Sequence, residues 1–144
     1  MSYFNIRVYG LLLNEHNEVL LSDEFEVGRH FTKFPGGGLE LGEGLIEALK
    51  REFIEECQTE IEVISHFYTT DFYEKSSFND SQVISIYYLV KAVSTLNFVP
   101  KEKAFDFEAG LFQSFRWRSI SSLQVEDVTF KTDKVVVGLL KQKF

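Results

Sequence analysis

The chain has 144 residues, 44 % of them hydrophobic, with fifteen Phe, six Tyr and one Trp, and its formal charge is -7 from fifteen Lys+Arg against twenty-two Asp+Glu. That length and apolar content can build one core, which excludes a disordered chain and leads us to expect a single domain over residues 1–144. The acidic balance excludes broad binding to a nucleic-acid backbone, so a phosphate-bearing ligand would need a metal ion or a few placed cations.

The first residues, MSYFNIRVYGLLLNEHNEVLL, carry no basic start followed by an apolar core and a small-residue cleavage site. No apolar run approaches the roughly 18–20 residues of a membrane span, so neither export nor membrane anchoring is expected. A lone cysteine, Cys57, cannot form an internal disulfide. Its place in a helical run makes it a buried packing residue, and a cytoplasmic setting fits.

In chain order, residues 4–13 and 19–22 are β-rich runs separated by the polar stretch 14–17, which predicts an opening hairpin. Residues 31–34 predict a short strand ending at Pro35, after which Gly36, Gly37 and Gly38 allow positive φ or close approach to a ligand. A helix is expected from about residue 43 to residue 57. Residues 61–73 and 83–90 read as strands around a polar turn. Residues 94–113 show no period, and so long a loop in a compact domain is usually functional or mobile. A further strand over 115–118, a helical turn over 120–123 and a last helix capped by Thr132 and running to about residue 142 complete the reading.

The first helix carries the chemistry. With about 100° per residue, Glu52 falls in the middle of the apolar arc formed by Leu45, Ala48, Leu49 and Phe53, with Glu56 about 40° away and Glu55 about 60° away. Glu47 and Lys50 lie on the opposite, solvated side. Carboxylates four residues apart repel unless a positive group joins them, and a hard divalent cation such as Mg²⁺ prefers oxygen ligands. Arg51, four residues before Glu55, is placed to pair with it.

These residues resemble the signature of the Nudix hydrolases, G-x5-E-x7-R-E-U-x-E-E-x-G-U with U a bulky aliphatic. Gly37, Glu43, Arg51, Glu52, Glu55 and Glu56 stand at the required positions, while Phe53, Gln58 and Thr59 depart from it at packing and helix-exit positions. A chance match of this quality is below about one in ten thousand. The resemblance spans about residues 4–123.

It implies an α/β/α sandwich around a mixed central sheet and hydrolysis of the pyrophosphate linkage in a nucleoside diphosphate joined to another moiety, with water as nucleophile. It further implies Mg²⁺, with Mn²⁺ as an alternative, held by Glu52 and Glu56, with Glu55 as ligand or base and the Gly36 carbonyl as a weaker ligand. Arg51 would orient Glu55, and Glu43 would support the junction between loop and helix. The family commonly recruits one more loop carboxylate, for which Glu102, Asp106 and Glu108 are candidates and Glu108 is favoured.

Arg7, Arg29 and Lys33 are candidate phosphate contacts, since an acidic protein must aim its few cations. His16, His30 and His66 have no paired metal spacing, and only His30 stands near enough in sequence to the glycine turn to border a substrate. No proline occurs between Pro35 and Pro100, which weakens an ADP-ribose substrate. Tyr73 stands where some diadenosine-polyphosphate hydrolases carry a tyrosine. The expected partner is a small nucleotide, and a homodimer is compatible with the sequence. The rival reading is a non-catalytic nucleotide-binding or protein-interaction module of the same fold. Isomerase chemistry on this fold is disfavoured because Cys57 lies in the helix and not upstream of it.

Overall fold

The structure, a computed structural model, describes residues 2–144. It is a mixed α/β fold with seven strands, two α-helices and one 3₁₀ turn among the described residues. Strands β1 (Phe4–Leu12), β2 (Glu18–Glu26), β3 (Arg29–Lys33) and β4 (Gly36–Gly38) precede α1 (Leu45–Cys57). Then follow β5 (Ile61–Thr69), β6 (Gln82–Ala92), β7 (Gln113–Ser119), the 3₁₀ turn Val125–Asp127 and α2 (Lys131–Lys143). The chain forms two compact units, residues 1–12 with 35–97 and residues 13–34 with 98–144.

The first unit holds a four-stranded mixed sheet in the order β4-β1-β6-β5. β1 runs parallel to β6, from Phe4 opposite Gln82 to Leu12 opposite Val90, and antiparallel to β4, with Val8 opposite Gly37. A parallel pair needs a long crossover, and α1 lies within it. The helix buries Ala48, Leu49, Phe53 and Cys57, a spacing that gathers one apolar face. Gly10 admits this face, because a Cβ there would stand 2.5 Å from the Phe53 ring. Cys57 is fully buried, as expected of a packing residue.

Helix α1 starts two residues later than the sequence suggests, at Leu45 and not at Glu43. Gly44 is the N-cap and donates its N–H to Glu47 Oε1 at 2.8 Å. At the other end Gln58 takes the left-handed conformation (φ 50°), and its N–H and that of Thr59 close onto Ile54 O and Phe53 O. The helix therefore keeps a left-handed exit without glycine.

The second unit holds a three-stranded antiparallel sheet in the order β3-β2-β7. The expected opening hairpin is corrected here: β1 and β2 belong to different sheets, and beyond the Asn14–Asn17 turn only an isolated Leu13–Val19 bridge forms. The true hairpin joins β2 to β3 through Val27 and Gly28, both with positive φ (52° and 72°). That is the primed turn whose twist matches paired strands.

Other boundaries shift as well. Gly36–Gly38 is a strand, since it pairs with β1. β5 ends at Thr69 and carries two irregularities of register. Residues 119–123 form a hydrogen-bonded turn, and the 3₁₀ turn follows it. Thr132 is not the cap of α2 but is buried inside it. Phe130 stands at the N-cap, its ring 5.4 Å from that of Phe31, so ring packing and not a side-chain cap marks the start. Among the described residues no helix is long and apolar enough to cross a membrane.

Candidate active site

The loop between β4 and α1 closes around Arg51. Its guanidinium donates from Nε to Glu43 Oε2 at 3.0 Å and from Nη2 to Glu43 Oε1 at 2.6 Å, a bidentate pair. Nη2 also donates to the Gly38 carbonyl at 3.1 Å. Nη1 donates to Glu52 Oε1 at 3.2 Å and to Glu55 Oε2 at 3.3 Å. Glu40 lies 3.9 Å from Nε. One cation thus fastens strand β4, the loop and two helix carboxylates together.

The hydrogen bonds from Arg51, helped by the Glu40 N–H, hold the Glu43 carboxyl at a pKa of about 2, below its ordinary 4.5. The same pair raises the Arg51 pKa. Glu43 accordingly ties the loop to the helix.

Glu52 lies at the apolar side of α1 with its side chain 14 % exposed, as its angular position requires. Glu55 is 58 % exposed and turned to Arg51. Glu56 keeps Oε2 shielded from solvent and is engaged through contacts of its own. A Cβ on Gly37 would stand 2.5–2.8 Å from the Glu52 carboxylate atoms. Only a glycine lets that carboxylate lie against the strand.

Four carboxylates against one guanidinium leave an excess of negative charge on hard oxygen donors, and the cradle at Gly37 keeps one of them in place. This donor set fits a hard divalent cation. Among the described residues no three Asp, Glu, His or Cys side chains are gathered into a ready cage. Arg51 takes oxygens of both Glu52 and Glu55.

Of the candidate phosphate contacts, Arg7 belongs to the same unit. It pairs with Gly38 in the β1–β4 register, donates to Tyr9 Oη at 2.6 Å and lies over that ring. Arg29, exposed, and Lys33, buried, belong to the other unit. The Lys33 ammonium is 3.0 Å from Glu24 Oε2 and donates to Phe34 O at 3.3 Å, so a phosphate would have to compete with Glu24. Ser22 and Gln113 also donate to Glu24 Oε2.

In that second unit Glu108 is exposed and paired with Lys101, whose hydrogen bond lowers the Glu108 pKa. Glu102 and Asp106 are exposed. Sequence reading missed Glu24, whose meeting with Lys33 follows from the β2–β3 register and would have required recognising Val27-Gly28 as the turn. It also missed the Gly38 carbonyl, for which no side-chain signal exists.

A Gly-rich strand, a glutamate-lined helix and an arginine joining them come together on a mixed α/β fold. The chain belongs to the NUDIX domain family, whose model matches residues 4–137, and this defines it as a pyrophosphohydrolase. Among curated protein sequences none is significantly similar. The fold is similar to a NUDIX hydrolase from Nitrosomonas europaea (TM-score 0.72, 19 % identity, 96 % of this chain and 89 % of that one). It is also similar to the MutT protein from Methanosarcina mazei Go1 (0.71, 19 %, 99 % and 96 %). An ADP-ribose pyrophosphatase from Streptococcus suis 89-1591 shares it too (0.64, 14 %, 96 % and 90 %).

Proposed function

We propose that this chain, a single domain over residues 1–144, hydrolyses the pyrophosphate linkage of a nucleoside diphosphate joined to another moiety, with Mg²⁺ or alternatively Mn²⁺. The observation that carries the reading is the Arg51 clamp, which fixes Glu52 and Glu55 beside a strand whose Gly37 makes room for a carboxylate. Glu52 and Glu56 would hold the cation, with Glu55 as a further ligand or the base and the Gly36 carbonyl as a weaker donor. When bound, the cation neutralises phosphate oxygens and lowers the pKa of water.

The chain's own groups do the rest. Arg51 keeps the Glu55 carboxylate oriented, and a carboxylate so placed can accept the proton of an attacking water. Arg7, which pairs with Gly38 in the β1–β4 register, is assigned to phosphate. Arg29 and Lys33 are secondary candidates, the latter on release from Glu24. Glu108 is the favoured loop carboxylate, with Glu102 and Asp106 as alternatives.

The test is phosphate release from a panel of nucleoside diphosphate derivatives with and without Mg²⁺, on wild type, Glu52→Gln and Glu55→Gln. Turnover that needs the cation and falls by about a hundredfold or more in a variant is the expected result. Saturable nucleotide binding without turnover would make the chain a binding module instead.

A further inference from the structure

Strand alternation sends Arg7 and Tyr9 to the face of the first sheet that α1 does not cover. Val8, between them, stands opposite Gly37, where a Cβ would meet the Glu52 carboxylate on α1. Arg7 stands opposite Gly38, whose Cβ would have Arg7 Nη1 at 3.7 Å, and Tyr9 stands opposite Gly36. A Cβ on Gly36 would collide with the Val8 carbonyl and come within 2.9 Å of the Tyr9 ring, so bare backbone lets that ring lie against the strand. Arg7 Nε donates to Tyr9 Oη at 2.6 Å, with the guanidinium carbon 5.7 Å from the Tyr9 ring centroid. The phenol is itself held. Tyr9 is buried and stacks on buried Tyr87 at 5.3 Å and 30°. Tyr87 in turn lies 6.3 Å from Tyr68, whose hydroxyl donates to Asp71 at 2.9 Å.

We infer that Tyr9 is a positioning residue: its hydroxyl fixes the Arg7 guanidinium to hold a phosphoryl group of the substrate other than the one the carboxylates serve. Tyr9 engages Nε and not the Nη pair, so this bond does not use the fork that meets two phosphate oxygens at once. A long side chain gives up rotamer freedom when it grips a ligand, and one already fixed gives up less. The packed ring row keeps the phenol from swinging away with the arginine. β4 is a three-residue edge strand, and Glu52 and Arg7 flank it on opposite faces. A diphosphate passing that edge offers one phosphoryl group to each. The Arg7 contact then serves substrate and transition state alike, and its loss belongs in KM and not in kcat.

The inference rests on the reading above in taking a diphosphate as the ligand. It is read by binding, however, and that reading by turnover, so the two fail separately.

The experiment is a calorimetric titration with α,β-methylene-ADP, a nucleoside diphosphate whose bridging carbon resists cleavage, in the presence of Mg²⁺. It compares wild type, Tyr9→Phe, Arg7→Met and the double variant. Tyr9→Phe keeps the ring and removes only the hydroxyl, so its melting temperature should stay within about 3 °C of wild type. Its Kd should rise about fivefold, and that of Arg7→Met about tenfold or more. The double variant should bind no more weakly than Arg7→Met, because the hydroxyl acts only through the guanidinium. On a substrate that wild type cleaves, Tyr9→Phe should raise KM by about fivefold with kcat kept within about twofold. An unchanged Kd in Tyr9→Phe would overturn the inference. So would a hydroxyl effect that persists in full beside Arg7→Met, or a wild type that does not bind the analogue. Binding that depends on Tyr9 in a wild type without turnover would support the inference and sink the hydrolytic reading alone.

Discussion

Arg51 answers four acidic side chains, and the consequence is that small changes around it should affect turnover more than stability. Gly37→Ala is the sharpest case. The atoms nearest an added Cβ are those at the far end of the Glu52 side chain, at 2.5–2.8 Å, so the carboxylate can swing away while the strand holds. A catalytic group displaced by about 1 Å can cost about a hundredfold in rate. We expect Gly37→Ala to keep its melting temperature within about 3 °C while losing at least about tenfold in kcat, read by thermal unfolding beside a turnover assay. A loss of fold instead would assign Gly37 to the backbone alone. Glu43 supplies a prediction with a pH sign. Its folded pKa of about 2 lies below the ordinary 4.5, so its contribution to stability is full above 4.5 and disappears as pH falls toward 2. Glu43→Gln should therefore melt lower than wild type at pH 6, with the gap narrowing between pH 4.5 and 2 and shrinking in high salt. At this scale much could be read in advance. Angular position put Glu52 at the apolar face, and four-residue spacing put Arg51 beside Glu55. The bidentate hold on Glu43 and the Gly38 carbonyl come from a folded loop, and the Glu24–Lys33 pair comes from a register. Neither is written in local sequence.

Elements were readable where their hydrophobic period was strong and misread where partner choice decided. The run over residues 4–13 is β-rich, and a polar turn follows, so local pattern favours a hairpin. The observed β1 instead lies parallel to β6 across nine residue pairs. Such long-range pairing leaves no mark in the turn. The hairpin that does form turns at Val27-Gly28, where a β-branched residue hides the usual Asn-Gly signal. That misfit is itself testable. An L-residue in the left-handed region costs roughly 1–2 kcal/mol, and asparagine tolerates it better than valine. Since Val27 is 76 % exposed, little packing is lost on replacement. Val27→Asn should raise unfolding free energy by about 1 kcal/mol in a denaturant titration, with the slope unchanged. If stability falls instead, Val27 makes an apolar contact that outweighs its backbone strain. At α2 the favourable capping residue Thr132 lies inside the helix, and Phe130, whose ring is 5.4 Å from that of Phe31, stands at the N-cap.

At the scale of the molecule, each compact unit is assembled from separated segments, the first from residues 1–12 and 35–97, the second from 13–34 and 98–144. A cut after residue 97 would therefore remove β7 from β2 and leave residues 13–34 without their sheet partner. Composition announced one core's worth of apolar residues but could not reveal this interleaving. The formal charge of -7 is concentrated in part around α1, where, on the proposed function, carboxylates facing a partly desolvated site would repel one another in the absence of a cation. A ligand that binds only the folded state stabilises it by RT ln(1 + [L]/Kd), roughly 2.7 kcal/mol at a hundredfold excess. Millimolar Mg²⁺ should then raise the melting temperature by roughly 8 °C if the Kd lies near 10 μM, and a chelator should reverse it. Glu52→Gln should blunt the Mg²⁺ response. Without metal it should melt at or slightly above the wild-type temperature, because one repelling charge is gone while Arg51 keeps Glu43 and Glu55. A wild type indifferent to Mg²⁺, beside a metal-free Glu52→Gln that melts far lower, would mean that Glu52 serves Arg51 as a structural partner and that the cation is held elsewhere.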